Sequence, residues 1–299
     1  MGKLCTLCPR NCAADRARGP VGVCGQTEEI KIARAALHAW EEPCISGTKG
    51  SGAVFFSGCA LHCVFCQNRK IAHGNAGRTV SGERLARIFL ELQEQGAHNI
   101  NLVTAGHFIP QLVPVIEEAK RQGLFIPIVY NSSGYERVEA LRMLAGLVDI
   151  YLPDFKYRSP QLGGRYSHAP DYGAVAEAAV AEMVRQSGPA VFADGNEDGL
   201  LLRGTIVRHL VLPGCIREAK AVIRYLYETY GDTIYISILN QFTPLAGLSD
   251  YPEINRRVTQ EEYDEVVDYA VALGVECGFI QEGETAEESF IPEFDGAGV

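Results

Sequence analysis

The chain has 299 residues, 47% apolar and 21% charged, the make-up of a soluble globular protein with one large domain or two ordinary ones and a core that needs no cross-links. Its formal charge of −10, from 27 Lys and Arg against 37 Asp and Glu, repels phosphate backbones and anionic membranes, so no nucleic acid and no membrane is expected as a partner. Residues 1–10 carry no apolar run and no stretch is long enough to span a bilayer, which points to the cytoplasm.

Residues 1–50 read as a small cysteine-rich module. Cys5, Cys8, Cys12 and Cys24 crowd it among Gly and Pro turns; so short a piece buries little apolar surface, and a metal would supply the missing stability. From 53 onward a rhythm begins. Residues 53–56 form an apolar run, read as a buried strand. Residues 81–95 carry Leu85, Ile88, Phe89 and Leu92 at helical spacing behind Ser81 as a cap. Further strands are expected at 99–103, 126–130, 148–152, 205–212 and 233–239, and helices at 112–122, 135–147, 172–187, 218–230 and 260–273. Strands alternating with helices, and apolar throughout, imply a parallel sheet covered on both faces, open or curled into a barrel. In either form, functional groups lie just past the strand carboxyl ends. The expected organisation is a module over 1–50, an α/β core over 51–245, and a carboxyl-terminal helix and acidic tail over 246–299.

Ten cysteines in a reducing compartment are not expected to form disulfides, and clusters at short spacing suggest metal. Cys59, Cys63 and Cys66 follow directly on the first core strand, within Ser57-Gly58-Cys59-Ala60-Leu61-His62-Cys63-Val64-Phe65-Cys66. Three thiolates separated by three and then two residues can grip three corners of a 4Fe–4S cube and leave the fourth iron open to a ligand. A structural zinc site or ordinary buried cysteines are the blander readings of the same three residues.

This C-x3-C-x2-C pattern resembles the radical S-adenosylmethionine (SAM) superfamily, and the similarity continues along most of residues 51–245. The branch it resembles most includes pyruvate formate-lyase activating enzymes. The resemblance implies a partial (β/α)6 barrel, an open iron chelated by SAM, an electron donor such as flavodoxin or ferredoxin, and a 5′-deoxyadenosyl radical that abstracts hydrogen. It places Phe65 at the cofactor. After the second core strand stands Ala105-Gly106-His107, where the family has Gly-Gly-Glu for the SAM amino group; the contact then falls to backbone carbonyls, or His107 is structural. Asn131 and Ser133 lie in a turn resembling the family's Asp-Thr-Asn-Gly. Asp154-Phe155-Lys156 matches Asp-Leu-Lys, with the lysine near the SAM carboxylate, and Arg208 stands where the family has a second carboxylate partner. Charge inside apolar strands is costly unless satisfied. An anionic ligand would satisfy it, and so would a direct Arg208–Asp154 pair. Gln241 and Phe242 fall near the adenine, though Phe242 is equally a core residue.

Four thiolates at Cys5, Cys8, Cys12 and Cys24 are enough to close a second metal site, either zinc or a further iron–sulfur cluster. Cys44 is an additional candidate ligand, whereas Cys215 and Cys277 read as buried residues. Pyruvate formate-lyase activating enzymes lack such a module. Three functions stay open: hydrogen abstraction from a glycine of a partner protein, radical modification of a small molecule or peptide, and a non-catalytic metal-binding role. Residues 157–173 are the expected substrate lid, with 186–204 a second loop at the mouth.

Overall fold

The computed structural model describes residues 4–19, 21–73, 76–195, 199–245, 247–281 and 293–299. Among the described residues ten strands run as β1 (Lys31–His38), β2 (Ser51–Phe56), β3 (Arg78–Thr79), β4 (Ile100–Val103), β5 (Ile128–Ser132), β6 (Ile150–Pro153), β7 (Val191–Phe192), β8 (Leu201–Leu210), β9 (Tyr235–Leu239) and β10 (Gly278–Ile280). Between them lie α1 (Pro43–Ser46), α2 (Arg69–Ala72), α3 (Gly82–Glu94), α4 (Ile109–Arg121), α5 (Val138–Arg142), α6 (Pro160–Ser167), α7 (Tyr172–Ser187), α8 (Ile216–Tyr230) and α9 (Gln260–Leu273). They build one α/β sheet in the order β10-β9-β8-β6-β5-β4-β2-β1-β3, with β7 attached to β8.

The six expected core strands are β2, β4, β5, β6, β8 and β9, and each pairs parallel with its neighbour. The helices cover the sheet for the reason their pattern gives. In α3, Leu85, Ile88, Phe89 and Leu92 are all buried, and Ser81 caps the first turn by accepting the Arg84 N–H. Thr259 and Glu262 close a reciprocal capping box on α9.

Four strands were not foreseen. β1 pairs antiparallel with β2, from Ile32 beside Phe56 to His38 beside Ser51. The expected boundary at residue 50 therefore falls inside a hairpin, and residues 31–38 belong to the sheet rather than to a separate module. β1 carries Ala and Ile next to Lys, Arg and His, so its pattern is too mixed to read as a core strand. β10 extends the other edge parallel to β9, inside the stretch expected to hold only a helix and tail. Of that tail, residues 282–292 lie outside the described residues; the last seven lie along β1, where Ala35 N–H donates to the Ala297 carbonyl at 2.9 Å and Gly296 N–H to that of Ala33 at 3.1 Å. The expected helix over 135–147 shortens to α5, and the expected lid over 157–173 holds α6. Among the described residues no helix is long and apolar enough to cross a membrane.

Replacing Phe89, fully buried in the core, by Ala should cost about 3–5 kcal/mol. Phe125→Ala, at an 83% exposed position, should stay within about 0.5 kcal/mol. Denaturant unfolding of the two variants checks the assignment of inner and outer faces.

Candidate active site

The parallel strands all deliver their carboxyl ends to one side of the sheet. β2 ends at Phe56, and the chain turns through Gly58 in a left-handed conformation (φ +90°). A side chain here is excluded twice over, because a Cβ would sit 2.5 Å from the Cys24 carbonyl oxygen. That close approach lets Cys59 N–H donate to the Cys24 carbonyl at 3.2 Å. The loop onward is held from two sides. Val64 N–H donates to the Tyr166 carbonyl at 2.8 Å, and the Ser167 hydroxyl approaches Cys63 Sγ at 3.0 Å, both from α6. The Arg10 guanidinium donates to the carbonyls of Ala60 (2.7 Å), Leu61 (3.0 Å) and Ser167 (2.9 Å). Arg10 is thus a staple between the amino-terminal module and the cysteine loop. Its position between Cys8 and Cys12 gave no sign of that role.

Cys59, Cys63 and Cys66 open on a cavity of about 480 Å³. Its wall also holds Phe65, Asn131, Ser133, Asp154, Lys156, Arg208 and Gln241, so residues from five separate strand ends meet there. Burial pushes the Cys63 thiol up to about 11 and the Cys66 thiol up to about 12, so neither is a thiolate at neutral pH unless a metal draws off its proton. Among the described residues no three Cys, His, Asp or Glu side chains are grouped about a single ion. A cube instead takes one thiolate at each of three separate irons, and three thiols on one loop with no fourth cysteine in the wall suit that donor set.

The charged groups pair otherwise than expected. Asp154 and Arg208 are neighbours in backbone only. The Asp154 carboxylate instead holds Lys156 Nζ at 2.6 Å. Burial works against the charge on Lys156, yet Asp154 and Cys63 beside it keep its pKa above the ordinary lysine value. Arg208 reaches across the barrel to Glu41 and Glu42: its Nε donates to Glu42 Oε1 at 2.9 Å, and its Nη2 bonds both carboxylates. These side chains are 12%, 8% and 4% exposed respectively. Arg208 is therefore not a free partner for a ligand carboxylate. In sequence Glu41-Glu42 before Pro43 looks like any solvated acidic loop, so these residues went unread.

His107 is a structural residue and does not line the 480 Å³ cavity. Thr104, in the left-handed region (φ +60°), turns the chain away after β4, and His107 Nε2 meets the Ser57 carbonyl at 2.7 Å. Burial lowers its pKa to about 4, so the ring is neutral. Ala105 and Gly106 follow the same turn, and Thr104 takes their place in the wall. Phe242 is 1% exposed in the core, with its ring 5.9 Å from that of Phe65. No described residue of 157–173 or 186–204 lines the cavity. α6 instead supports the cysteine loop from outside.

The amino-terminal cysteines form a second group. Cys12 and Cys24 sulfurs lie 3.2 and 3.4 Å from the position a Cβ on Gly22 would take. Burial raises the Cys8 thiol to about 11, and the nearby Cys24, Cys5 and Cys12 add to the rise. Cys44 stands apart, near Glu42 and Arg208. Cys8 and Cys59 line one small cavity of about 20 Å³ with Gly106, His107 and Glu136. Arg16 fastens this group to the barrel by donating to the His107 carbonyl at 2.8 Å.

The radical SAM superfamily model matches residues 53–178. Residues 53–178 are a radical SAM domain. Such a domain works with a 4Fe–4S cluster and SAM. An uncharacterized protein of Methanocaldococcus jannaschii is 28% identical over 277 residues, covering 90% of this chain and 74% of that one. Streptococcus suis SuiB, in a crystal structure bound to S-adenosylmethionine, is 13% identical with a TM-score of 0.50, over 75% of this chain and 48% of SuiB. The chain thus spans about half of SuiB's length, and the likeness is one of fold. A domain of a pyruvate-formate lyase-activating enzyme from Bacteroides vulgatus is 13% identical with a TM-score of 0.39, over 58% of this chain and 91% of that domain; so slight a likeness says nothing of substrate.

Glu136 offers a test of the buried wall. Burial raises its pKa to about 8, Asp154 adds to this, and the Ser132 hydroxyl opposes it. A carboxyl raised in the folded state favours folding below the unfolded value near 4.5 and loses that advantage as pH rises towards about 8. Wild-type stability should therefore fall between these pH values relative to Glu136→Gln. Urea midpoints measured across that range for both proteins check it.

Proposed function

We propose that the chain holds a 4Fe–4S cluster on Cys59, Cys63 and Cys66, cleaves SAM reductively, and takes a hydrogen atom from a small molecule or peptide bound in the same cavity. The observation that carries this reading is the convergence of three loop thiols with Lys156, Asp154 and Arg208 on one chamber. When bound, the cluster and SAM supply a one-electron cleavage that yields methionine and a 5′-deoxyadenosyl radical.

The chain's own residues bind, orient and exclude water. Lys156, fixed by Asp154, is the cation for the SAM carboxylate. Asn131 and Ser133 lie at the end of β5, suited to ribose or methionine contacts. Gln241 and Phe65 stand opposite, suited to the adenine, with Phe242 backing Phe65 from the core. The half-buried cysteine loop, backed by Leu61 and Phe65 in the core, limits solvent at the reacting centre. The electron comes from a small carrier such as flavodoxin or ferredoxin.

The wall favours a polar substrate. Glu41, Glu42 and Arg208, paired with one another, give one wall of the chamber a polar surface, which the polar groups of a small molecule or peptide would meet. Radical modification of a charged small molecule or peptide is therefore preferred to glycyl-radical activation. Cys5, Cys8, Cys12 and Cys24 are proposed to hold a second metal, zinc or an iron–sulfur cluster, bolted to the barrel by Arg10 and Arg16. The module together with the β1–β2 hairpin is proposed as one unit with the core.

Anaerobic reconstitution with iron and sulfide, reduction with dithionite and addition of SAM should give 5′-deoxyadenosine by chromatography, and Cys63→Ala should bring it to background. Equal product in the variant, or none from wild type whose spectrum shows a reduced cluster, would overturn the proposal. Elemental analysis of the triple Cys59→Ala, Cys63→Ala, Cys66→Ala variant should still find metal, and adding Cys8→Ser should remove it. A triple variant without metal would leave the module with no site.

A further inference from the structure

The acid of this chain is not spread evenly along it. Residues 1–27 hold four Lys and Arg against Asp15 alone, and residues 43–82 hold four and no Asp or Glu. These two stretches carry the two cysteine groups, so the surplus of carboxylates lies elsewhere. The fold gathers part of the positive charge on one face. α2 follows directly on Cys66: Arg69 N–H donates to the Cys66 carbonyl at 3.2 Å, and Gly58 N–H to the Ile71 carbonyl at 2.7 Å. Ile71 and Ala72 on its inner side are buried and line the chamber, while Arg69, Lys70 and His73 are exposed. The His73 ring lies 5.2 Å from that of His62 in the cysteine loop. Arg10, which staples that loop, also donates to the carbonyl of His168, itself exposed. Among the described residues neither Lys70 nor Arg10 makes a salt bridge, in a chain with ten acids in excess.

Two further observations say what such a face meets. His62 Nε2 lies 2.8 Å from the Val23 carbonyl, and Val23 and Val21 are 45% and 56% exposed. Apolar side chains beside a polar, basic rim have the anatomy of a protein interface, and small interfaces of this kind serve transient redox encounters. The second observation is thickness. With Ile71 and Ala72 on the chamber and Lys70 and His73 in solvent, α2 is the whole wall at this point, about 10 Å of protein. Reductive cleavage of SAM consumes one electron, and this wall is a short way in. A positive face on an otherwise acidic molecule steers a negative partner to that one place and repels it from the rest.

We propose that the α2 face, built on Lys70 and His73 with His62, Arg10, Val21 and Val23 beside them, is the docking surface of a small acidic electron-carrier protein. The proposal rests on the cluster reading of Cys59, Cys63 and Cys66. In the docked pair one electron leaves the reduced carrier and crosses α2 to the cluster. The carrier is oxidised by one electron and the cluster reduced by one; no bond forms or breaks at the face, and no proton moves there.

Lys70→Glu reverses one charge on the face, and Arg87→Glu makes the same change of net charge at an exposed position of α3. Both variants and wild type are reconstituted anaerobically, with cluster content matched by absorbance. Binding of oxidised flavodoxin and of oxidised ferredoxin is measured by titration calorimetry at low and high ionic strength. Cluster reduction by each reduced carrier, and by dithionite, is followed by stopped-flow absorbance. Lys70→Glu should weaken carrier binding about tenfold at low salt and Arg87→Glu by less than about twofold, and the gap should close at high salt, where exposed charges are screened. Reduction by the carrier should slow in step, while reduction by dithionite stays as in wild type and so shows the variant folded with its cluster intact. Equal binding by the two variants, a loss that salt does not change, or an equal slowing with dithionite would overturn the proposal. An RNA oligonucleotide that binds wild type as tightly as the carriers and loses as much on Lys70→Glu would make this a nucleic-acid surface and overturn it too. Wild type that takes up no cluster reducible by dithionite would sink the parent reading, and the docking face with it.

Discussion

The Arg208 ion pair is the constraint on which the chamber depends. Arg208 stands on β8, while Glu41 and Glu42 follow β1 near the opposite edge of the same sheet. The strands between them do not close a barrel by hydrogen bonds, so the interior would be open to water across the gap. A guanidinium clasped by two carboxylates spans that interior. Breaking it would leave charges stranded out of water, a cost of several kcal/mol that no nearby group can offset. The pair thereby fixes the loop through Trp40 to Pro43, and with it one wall of the cavity.

The amino-terminal module is held by the opposite kind of interaction, many directional bonds to backbone. Arg10 spends its donors on carbonyls of the cysteine loop and of α6, and Arg16 on those of Gln26, Thr27 and His107. Carbonyls in loops lack the ladder partners that strands provide, and a planar guanidinium can satisfy several at once. The result is that the cysteine loop takes its shape from three places at once: β2 behind it, α6 beside it and the module in front. A loop so braced is held in one shape before any ligand arrives, as the proposed cluster site requires. The same packing sets Cys8 and Cys59 on one small cavity, so the two cysteine groups touch a common space.

Much of this was legible in the chain. The alternation of apolar strands with amphipathic helices shows six of the parallel strands, because burial on both faces leaves a continuous apolar run that needs no tertiary information to recognise. β1 and β10 were hidden for the converse reason. β1, between β2 and the two-residue edge strand β3, interleaves Lys31, Arg34 and His38 with small apolar residues, and β10, at the other edge, is three residues long. Asn131, Ser133, Asp154 and Lys156 could be placed at strand ends from their position alone. His107 could not, since the left-handed turn at Thr104 that swings it under the Ser57 carbonyl leaves no mark in a stretch reading Thr-Ala-Gly-His.

What the sequence determined by itself is therefore local: the period of its strands and helices, the three cysteines that follow the first parallel strand, and the polar residues that end the later ones. Such features depend on spacing along the chain, and spacing is what a sequence records. What only the tertiary structure decided is which charge answers which. Asp154 took Lys156, two residues away, and left Arg208 to carboxylates 166 and 167 positions distant. An ion pair is selected by distance through space and by the loss of water around it, and neither quantity is written in the order of the residues.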